Sequence, residues 1–241
     1  MVGTIERNET LAPDEFIADL ENIRKEFRQD HPYNIREIKS KEEFAKLAEQ
    51  KRKVHAGGDI NHRFEGERYL NAVDFDKDTR RMQLRKLVDE GGQDTVGGPQ
   101  VSHPTLSRWE SYAYGLAPGE VTRLEKDDAE PRTLVAKGWW IALNRDSHFG
   151  VGIGSGMVVE GETGQRSADL LAAIERDRQR FKDWGVPDVD KALMNRFEHA
   201  GVDVEHGDFN IDTVKKFVTT PELQADMRKA FILRLHMAAG A

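Results

Sequence analysis

Apolar residues recur at helical spacing along almost the whole of this 241-residue chain. Phe16, Leu20 and Ile23, for example, form an apolar stripe in a predicted helix over residues 13–28. Residues three and four positions apart share one face of an α-helix, so such stripes indicate amphipathic helices. Alternating runs typical of strands are few, and none is flanked by a hairpin turn. The sequence therefore predicts an all-α helical bundle.

Capping residues predict where two of these helices begin. Ser40 and Glu43 have the spacing of a capping box, which would open a helix containing Phe44, Leu47 and Ala48. Asp76 or Asp78 is expected to cap a further helix that stops at Gly91-Gly92. Its expected buried face includes Met82, Leu84 and Leu87.

Residues 90–102 are rich in glycine and are interpreted as a loop. His103-Pro104 then opens a predicted helix that ends at Gly115, since proline suits the first turn of a helix. The apolar stretch over 132–159 is interpreted as one long helix. Further helices are predicted over 168–184, 189–205 and 221–237.

Composition narrows the class of protein. The length favours one domain over residues 1–241. The chain contains no cysteine, which excludes disulfides, thiolate nucleophiles and iron–sulfur clusters, so any metal must be held by histidines and carboxylates. A formal net charge of −7 argues against nucleic acid as a partner. No signal peptide or bilayer-spanning run is evident, so a cytoplasmic protein without a membrane partner is expected.

Four glycines, at positions 150, 152, 154 and 156, raise the question of a nucleotide-binding loop. They do not match the G-x-G-x-x-G register, because Ser155 stands where the third glycine belongs, and no strand precedes them. Glycine in a helix interior costs about 1 kcal/mol, so four together indicate a packing or functional demand. We interpret them as the part of a helix that neighbouring helices, or a substrate, approach closely.

The most specific motif is His199, Asp203 and His206, in the stretch RFEHAGVDVEHGD. Residues at i, i+4 and i+7 lie on one helix face, so two imidazoles and a carboxylate would point into one volume. That combination suits divalent iron or manganese better than a structural zinc ion. The alternative is an ordinary amphipathic helix with these side chains on its solvated face.

Three further residues are candidate ligands. Glu160 follows an apolar run, where a buried charge would need a partner such as a metal ion, although it could instead be the solvated end of the helix. Glu90 ends one predicted helix and His103 opens the next. The remaining histidines show no comparable partners and are expected to be ordinary surface residues: His31, His55, His62, His148 and His236.

The order of these six residues resembles the ligand pattern of the heme-oxygenase-like diiron oxidases and oxygenases. These proteins are related in fold to TenA-type thiaminase and pyrroloquinoline-quinone synthase. The stretches TRRMQLRKLVDEGG and HPTLSRWESYAYGL also resemble the quinone-synthase branch. The resemblance covers roughly residues 60–235, and residues 1–58 match less well. The loop between Glu90 and His103 is longer than in the family, so Asp89 and Glu110 are alternatives for the first ligand.

The resemblance implies a heme-oxygenase-like bundle that binds two iron ions through Glu90, His103, Glu160, His199, Asp203 and His206, and that reacts with O2. Three carboxylates would offset most of the four positive charges of two ferrous ions. A dry pocket must protect the reaction from water. Candidates for its lining are Trp109, Tyr112, Trp139, Trp140 and Phe149, although core packing is an alternative for each.

The expected function is an oxygenase or oxidase acting on a small molecule, with an external electron donor and a homodimer as further expected partners. N-oxygenation of a small amine or amino-heterocycle is favoured, because polar side chains (Asn144, Arg145, Asp146 and His148) lie near the apolar helix. Alternatives are oxidative C–C cleavage of a fatty or amino acid and a cofactorless oxidase with the histidines as proton shuttles. A metal-binding or scaffold protein with a degenerate site is the non-enzyme alternative.

Overall fold

The computed structural model describes residues 10–31, 39–54, 60–72, 75–92, 101–128, 131–160 and 163–239, without the side chains of 54, 60–62, 64, 159, 163–168, 170 and 201–203. Within these ranges the chain forms eleven α-helices and no strand, which confirms the all-α class. The helices are α1 Pro13–Asp30, α2 Lys41–Val54, α3 Ile60–Asn71, α4 Lys77–Glu90, α5 His103–Ala113, α6 Pro118–Lys126, α7 Pro131–Asp146, α8 Phe149–Glu160, α9 Thr163–Asp183, α10 Val189–Phe217 and α11 Pro221–Ala239.

The longest helix, α10, is central and packs against α5, α8 and α9. One apolar core joins α1, α8, α10 and α11 through residues that include Phe16, Met157 and Phe231. A second core joins α2, α6, α9 and α10 and contains Phe44 and Leu193. Since α10 contributes to both cores, it connects the two halves of the bundle and positions the side chains along its length.

The predicted helix starts are largely confirmed. Ser40 Oγ accepts a hydrogen bond of 3.1 Å from the Glu43 N–H, and the Glu43 carboxylate accepts one of 3.0 Å from the Lys39 N–H. Asp76, and not Asp78, caps α4 by accepting from the backbone N–H groups of residues 78 and 79. These contacts satisfy N–H groups that have no partner within the first turn.

Two helix predictions are corrected, and two helices were missed. The stretch over 132–159 is two helices, α7 and α8, separated at Ser147 and His148. His148 Nδ1 accepts a hydrogen bond of 3.2 Å from the Gly150 N–H, which caps the start of α8. Helix α10 continues to Phe217 instead of ending near 205, because buried residues beyond Gly207 extend its packed face. Helices α3 and α6 were not predicted.

The buried face predicted for α4 is wrong at Leu84, whereas Met82 is half-buried against an apolar core. Leu84 is 42% exposed, whereas the buried positions include Gln83, Lys86, Asp89 and Glu90. The helix turns a polar face inward, where a partner for each charged group must be found. Apolar spacing cannot reveal this orientation, because it assumes that apolar residues face the core.

The four glycines lie in α8, which agrees with the helical interpretation and not with a nucleotide loop. A Cβ atom added at Gly154 would lie 2.7 Å from Val214 Cγ2 of α10. One added at Gly156 would lie 3.0 Å from Asn210 Nδ2 and 3.3 Å from Arg68 Nη2. The glycines therefore let α10 and a buried arginine approach the α8 backbone. No described helix combines the length and the apolar character that crossing a bilayer requires.

Candidate active site

The junction between α4 and α5 brings two predicted ligands together. Asp89 and Glu90 end α4, and Lys86 lies on the same helix face, three and four residues earlier. His103 is the first residue of α5, where its Nδ1 atom lies 3.0 Å from Glu90 Oε2. Both side chains are buried, with exposed fractions of 5% for His103 and 10% for Glu90.

Helix α10 adds two imidazoles to this junction. The rings of His199 and His103 have centroids 5.0 Å apart at an interplanar angle of 65°. His206 Nε2 lies 3.7 Å from Asp89 Oδ2, which is within ion-pair distance but too long for a hydrogen bond. Asp203 belongs to the same helix, but its side chain lies outside the described residues. We call Asp89, Glu90, His103, His199 and His206 the donor cluster.

The electrostatics of the donor cluster keep Glu90 ionised. Burial acts to raise the pKa of the Glu90 carboxyl, but the neighbouring imidazoles of His103, His199 and His206 lower it to about 2. A carboxylate must be deprotonated to bind a metal ion, so this environment maintains the ligand form at neutral pH.

Glu160 ends α8 beside the donor cluster and is not a solvated helix end. Its side chain is 15% exposed, and its Oε2 atom accepts hydrogen bonds from Lys86 Nζ at 2.9 Å and Asn210 Nδ2 at 2.5 Å. Burial raises the pKa of this carboxyl, while the charges of Lys86, His206 and Arg68 lower it to about 2. In this structure the Lys86 ammonium forms an ion pair with the Glu160 carboxylate.

Some buried polar atoms of the donor cluster lack hydrogen-bond partners. Among the described residues, neither Asp89 Oδ1 nor His206 Nε2 has one. Leaving a buried acceptor unsatisfied costs about 1–3 kcal/mol, so a bound group is the natural partner for such atoms. In the described part of the chain, however, no three histidine or carboxylate donors are close enough together to hold one ion. The donors are gathered in pairs, and the pattern of residue types fits a divalent metal.

The other proposed first ligand, Glu110, is engaged elsewhere. It accepts hydrogen bonds from Tyr114 Oη at 2.5 Å and Arg196 Nε at 3.1 Å, and it also pairs with Lys51. Asp89, the second alternative, lies in the donor cluster together with Glu90. The structure therefore places two consecutive carboxylates near the imidazoles.

The aromatic residues predicted to line a dry pocket lie in different parts of the structure. Tyr112 is 37% exposed, so it does not line an enclosed pocket. Trp109 lies under the ammonium of Lys191, 4.1 Å from the ring centroid. Phe149 is 3% exposed and packs in a core with Phe75. Core packing or surface contact accounts for these three rings.

Trp140 and Asn144 lie together on α7, one turn apart. Trp140 Nε1 donates a hydrogen bond of 3.1 Å to Ser155 Oγ, and Asn144 Oδ1 accepts one of 2.6 Å from Arg68 Nε. Trp139, beside them in sequence, is half-buried. His148 packs edge-on against Phe75, and burial lowers its pKa.

The remaining histidines take no part in the donor cluster. His31 and His236 both pack on Phe27, with ring centroids 4.5 Å and 4.9 Å from that ring. His55 and the side chain of His62 lie outside the described residues.

Two site residues escaped the sequence analysis. Lys86 is four residues before Glu90, and Asn210 is four residues after His206, so each continues a predicted helix face. Helical spacing could have identified both positions. Nothing in the spacing indicates that they meet each other at Glu160, with 3.2 Å between Lys86 Nζ and Asn210 Oδ1.

The chain matches no protein-family model and no curated protein sequence. The geometry alone must therefore indicate what the site can do. Buried imidazoles beside ionised carboxylates can bind a divalent cation or move a proton.

Proposed function

We propose that this protein is a non-heme diiron, O2-dependent oxygenase or oxidase that acts on a small molecule. The observation that carries the proposal is the meeting of α4, α5 and α10 at the donor cluster. Glu90 contacts His103 at 3.0 Å, the His103 and His199 rings lie 5.0 Å apart, and the charges of His199 and His206 act on Glu90. The unpartnered atoms of Asp89 and His206 support a bound group in that volume.

In this proposal the six residues Glu90, His103, Glu160, His199, Asp203 and His206 would hold the iron. Iron bound there would supply the activation of O2. The protein's own residues have separate tasks. The imidazoles keep Glu90 ionised, and Glu90 in turn orients the His103 ring through their 3.0 Å contact. The burial of these side chains excludes water from the reacting groups.

Lys86 has a specific consequence for an ion at Glu160. Its side chain is 1% exposed, and its ammonium already pairs with that carboxylate. A cation binding at Glu160 would have to share the carboxylate with Lys86 or displace it. We therefore expect the part of the site near Glu160 to bind iron more weakly than the part near Glu90 and His103.

N-oxygenation of a small amine and oxidative C–C cleavage of a fatty or amino acid are the candidate reactions. The preference for an amine came from the polar residues at and just after the end of α7. In the structure, Asn144 is committed to Arg68, and Arg145 and Asp146 form an exposed ion pair with each other. These contacts give the amine preference no added support, so both reactions remain part of the proposal.

Anaerobic titration with ferrous iron, followed by exposure to O2, tests the proposal. We expect two ions per chain and a transient visible absorption after O2 is added. Glu90→Gln should lose at least one ion. The matched control is Glu205→Gln, since Glu205 is 49% exposed and pairs with Arg85 on the surface.

A cofactorless oxidase is the second candidate, because the buried Glu90–His103 pair is a suitable proton-transfer pair. O2 consumption by a protein that binds no ferrous iron would favour it. Iron binding that Glu90→Gln leaves unchanged would exclude the proposed ligand set.

A further inference from the structure

Arg234 of α11 forms no ion pair with any residue that the structure describes. Its guanidinium carbon lies 3.8 Å from the centroid of the Trp140 ring. Its Nε atom is buried and has no hydrogen-bond partner, and no carboxylate among the described residues forms an ion pair with it. A cation removed from water is costly unless it is paired and hydrogen-bonded.

The other buried arginines differ from Arg234 in this respect. Each of them forms an ion pair with a carboxylate: Arg24 with Glu21, Arg52 with Glu125, Arg68 with Glu65, Arg196 with Asp177 and Arg228 with Asp19. These arginines therefore each have a carboxylate partner, whereas Arg234 has none among the described residues. Trp140 offers only the face of its ring, which attracts a cation without neutralising it.

Arg68 adds to the positive charge of this region. Its guanidinium carbon is 5.7 Å from the same Trp140 ring. Its hydrogen bonds go to Asn144 Oδ1 at 2.6 Å, Glu65 Oε1 at 2.6 Å and the Gly152 carbonyl at 3.3 Å. Because Glu65 balances the charge of Arg68, the charge that remains unbalanced is that of Arg234.

Arg234 keeps its proton at neutral pH. Burial, together with the charge of Arg68, lowers the pKa of the guanidinium to about 10, while Glu160 acts to raise it. Trp140, which Arg234 contacts, donates a hydrogen bond of 3.1 Å to Ser155 Oγ, so Arg234 lies beside α8, the helix that ends at Glu160. Lys86 already pairs with Glu160, so that carboxylate does not serve as the partner of Arg234.

We propose that Arg234, on the Trp140 ring, binds the carboxylate of a small organic acid. A guanidinium presents a planar pair of N–H donors that matches a carboxylate. One unbalanced positive charge fits a monoanion better than a phosphate dianion. That this acid is the substrate, a fatty or amino acid held beside Glu160, rests on the proposed function.

Isothermal titration of the full-length, metal-free protein with hexanoate and with norleucine tests the site. We expect saturable binding of at least one of these acids, and Arg234→Met should weaken it at least tenfold. Arg234→Lys keeps the charge without the planar pair of donors, so an intermediate loss is expected. Arg80→Met is the control, because Arg80 is exposed on α4. The Trp140 indole N–H resonance should shift when the acid binds.

Three results would overturn the inference: no binding of either acid, equal binding by Arg234→Met, or equal binding of hexylamine. Inorganic phosphate binding as tightly as the acids would overturn the assignment to a carboxylate. The titration uses no iron, so an acid site would persist if the iron proposal failed. Conversely, loss of the acid site would leave the ferrous titration unchanged.

Discussion

Two buried polar clusters lie along α5 and α10, and they differ in how their charges are satisfied. In the paired cluster, formed by Lys51, Glu110, Tyr114, Asp177 and Arg196, each charged group contacts an opposite charge. In the donor cluster, atoms of Asp89 and His206 are buried without hydrogen-bond partners. A fully paired network stabilises a fold, whereas an incompletely paired one indicates a place where something binds.

The largest expected effect lies in the paired cluster. Arg196 donates to Asp177 at 2.6 Å, to Glu110 at 3.1 Å and to Tyr114 Oη at 3.1 Å. Arg196→Met leaves buried carboxylates without this partner, so the free energy of unfolding should fall by about 3–5 kcal/mol. Urea denaturation measures it. Lys229→Met, which breaks an exposed pair with Asp226, should change stability by less than about 1 kcal/mol. Similar losses of unfolding free energy in Arg196→Met and Lys229→Met would contradict the stabilising role of the paired cluster.

A substitution in the donor cluster should change the stability of the metal-free protein little and remove the stabilisation by iron. His206→Gln in the metal-free protein should cost no more than about 1 kcal/mol, because the Nε2 atom makes no hydrogen bond there. Ferrous iron at 100 times its dissociation constant should stabilise the unchanged protein by about 2.7 kcal/mol and leave the variant unaffected. Denaturation with and without iron gives both quantities, and His236→Gln is the control. Equal stabilisation of His206→Gln would contradict the ligand assignment.

Lys86 forms a fully paired contact at the edge of the donor cluster, because its ammonium pairs with Glu160. Lys86→Met removes the cation that competes for this carboxylate, so iron should bind there about tenfold more tightly, or about 1.4 kcal/mol. Ferrous titration of the folded variant measures the change. Lys216→Met serves as control, because Lys216 pairs with Asp76 at the surface. Unchanged or weaker binding would mean that Glu160 is not a ligand.

The last effect concerns the loss of stability in acid. Burial alone would raise the pKa of Glu110, but Lys51 and Arg196 hold it well below its usual value. The unfolded chain therefore takes up the proton first, and stability that is present above about pH 4.5 is lost as pH falls. Glu110→Gln should reduce the slope of unfolding free energy against pH by no more than about 1.4 kcal/mol per pH unit. An unchanged slope between pH 2 and 4.5 would refute this origin.

The sequence by itself determined the all-α class, most helix boundaries and the candidate donors. Helical spacing is a local property, so it placed His199 and His206 on one face of α10. Local capping likewise located the starts of α2, at Ser40, and of α4, at Asp76.

Only the tertiary structure decided which donors meet, because contacts between distant segments depend on how whole helices pack. In the folded protein Asp89 lies beside His206 and Glu110 pairs with Arg196. The polar face of α4 points inward. The tertiary structure also placed Arg234 on the Trp140 ring, where no carboxylate of the described ranges forms an ion pair with it. No spacing rule encodes these outcomes, since the energy of a buried charge depends on its partners in space and not on its neighbours in sequence.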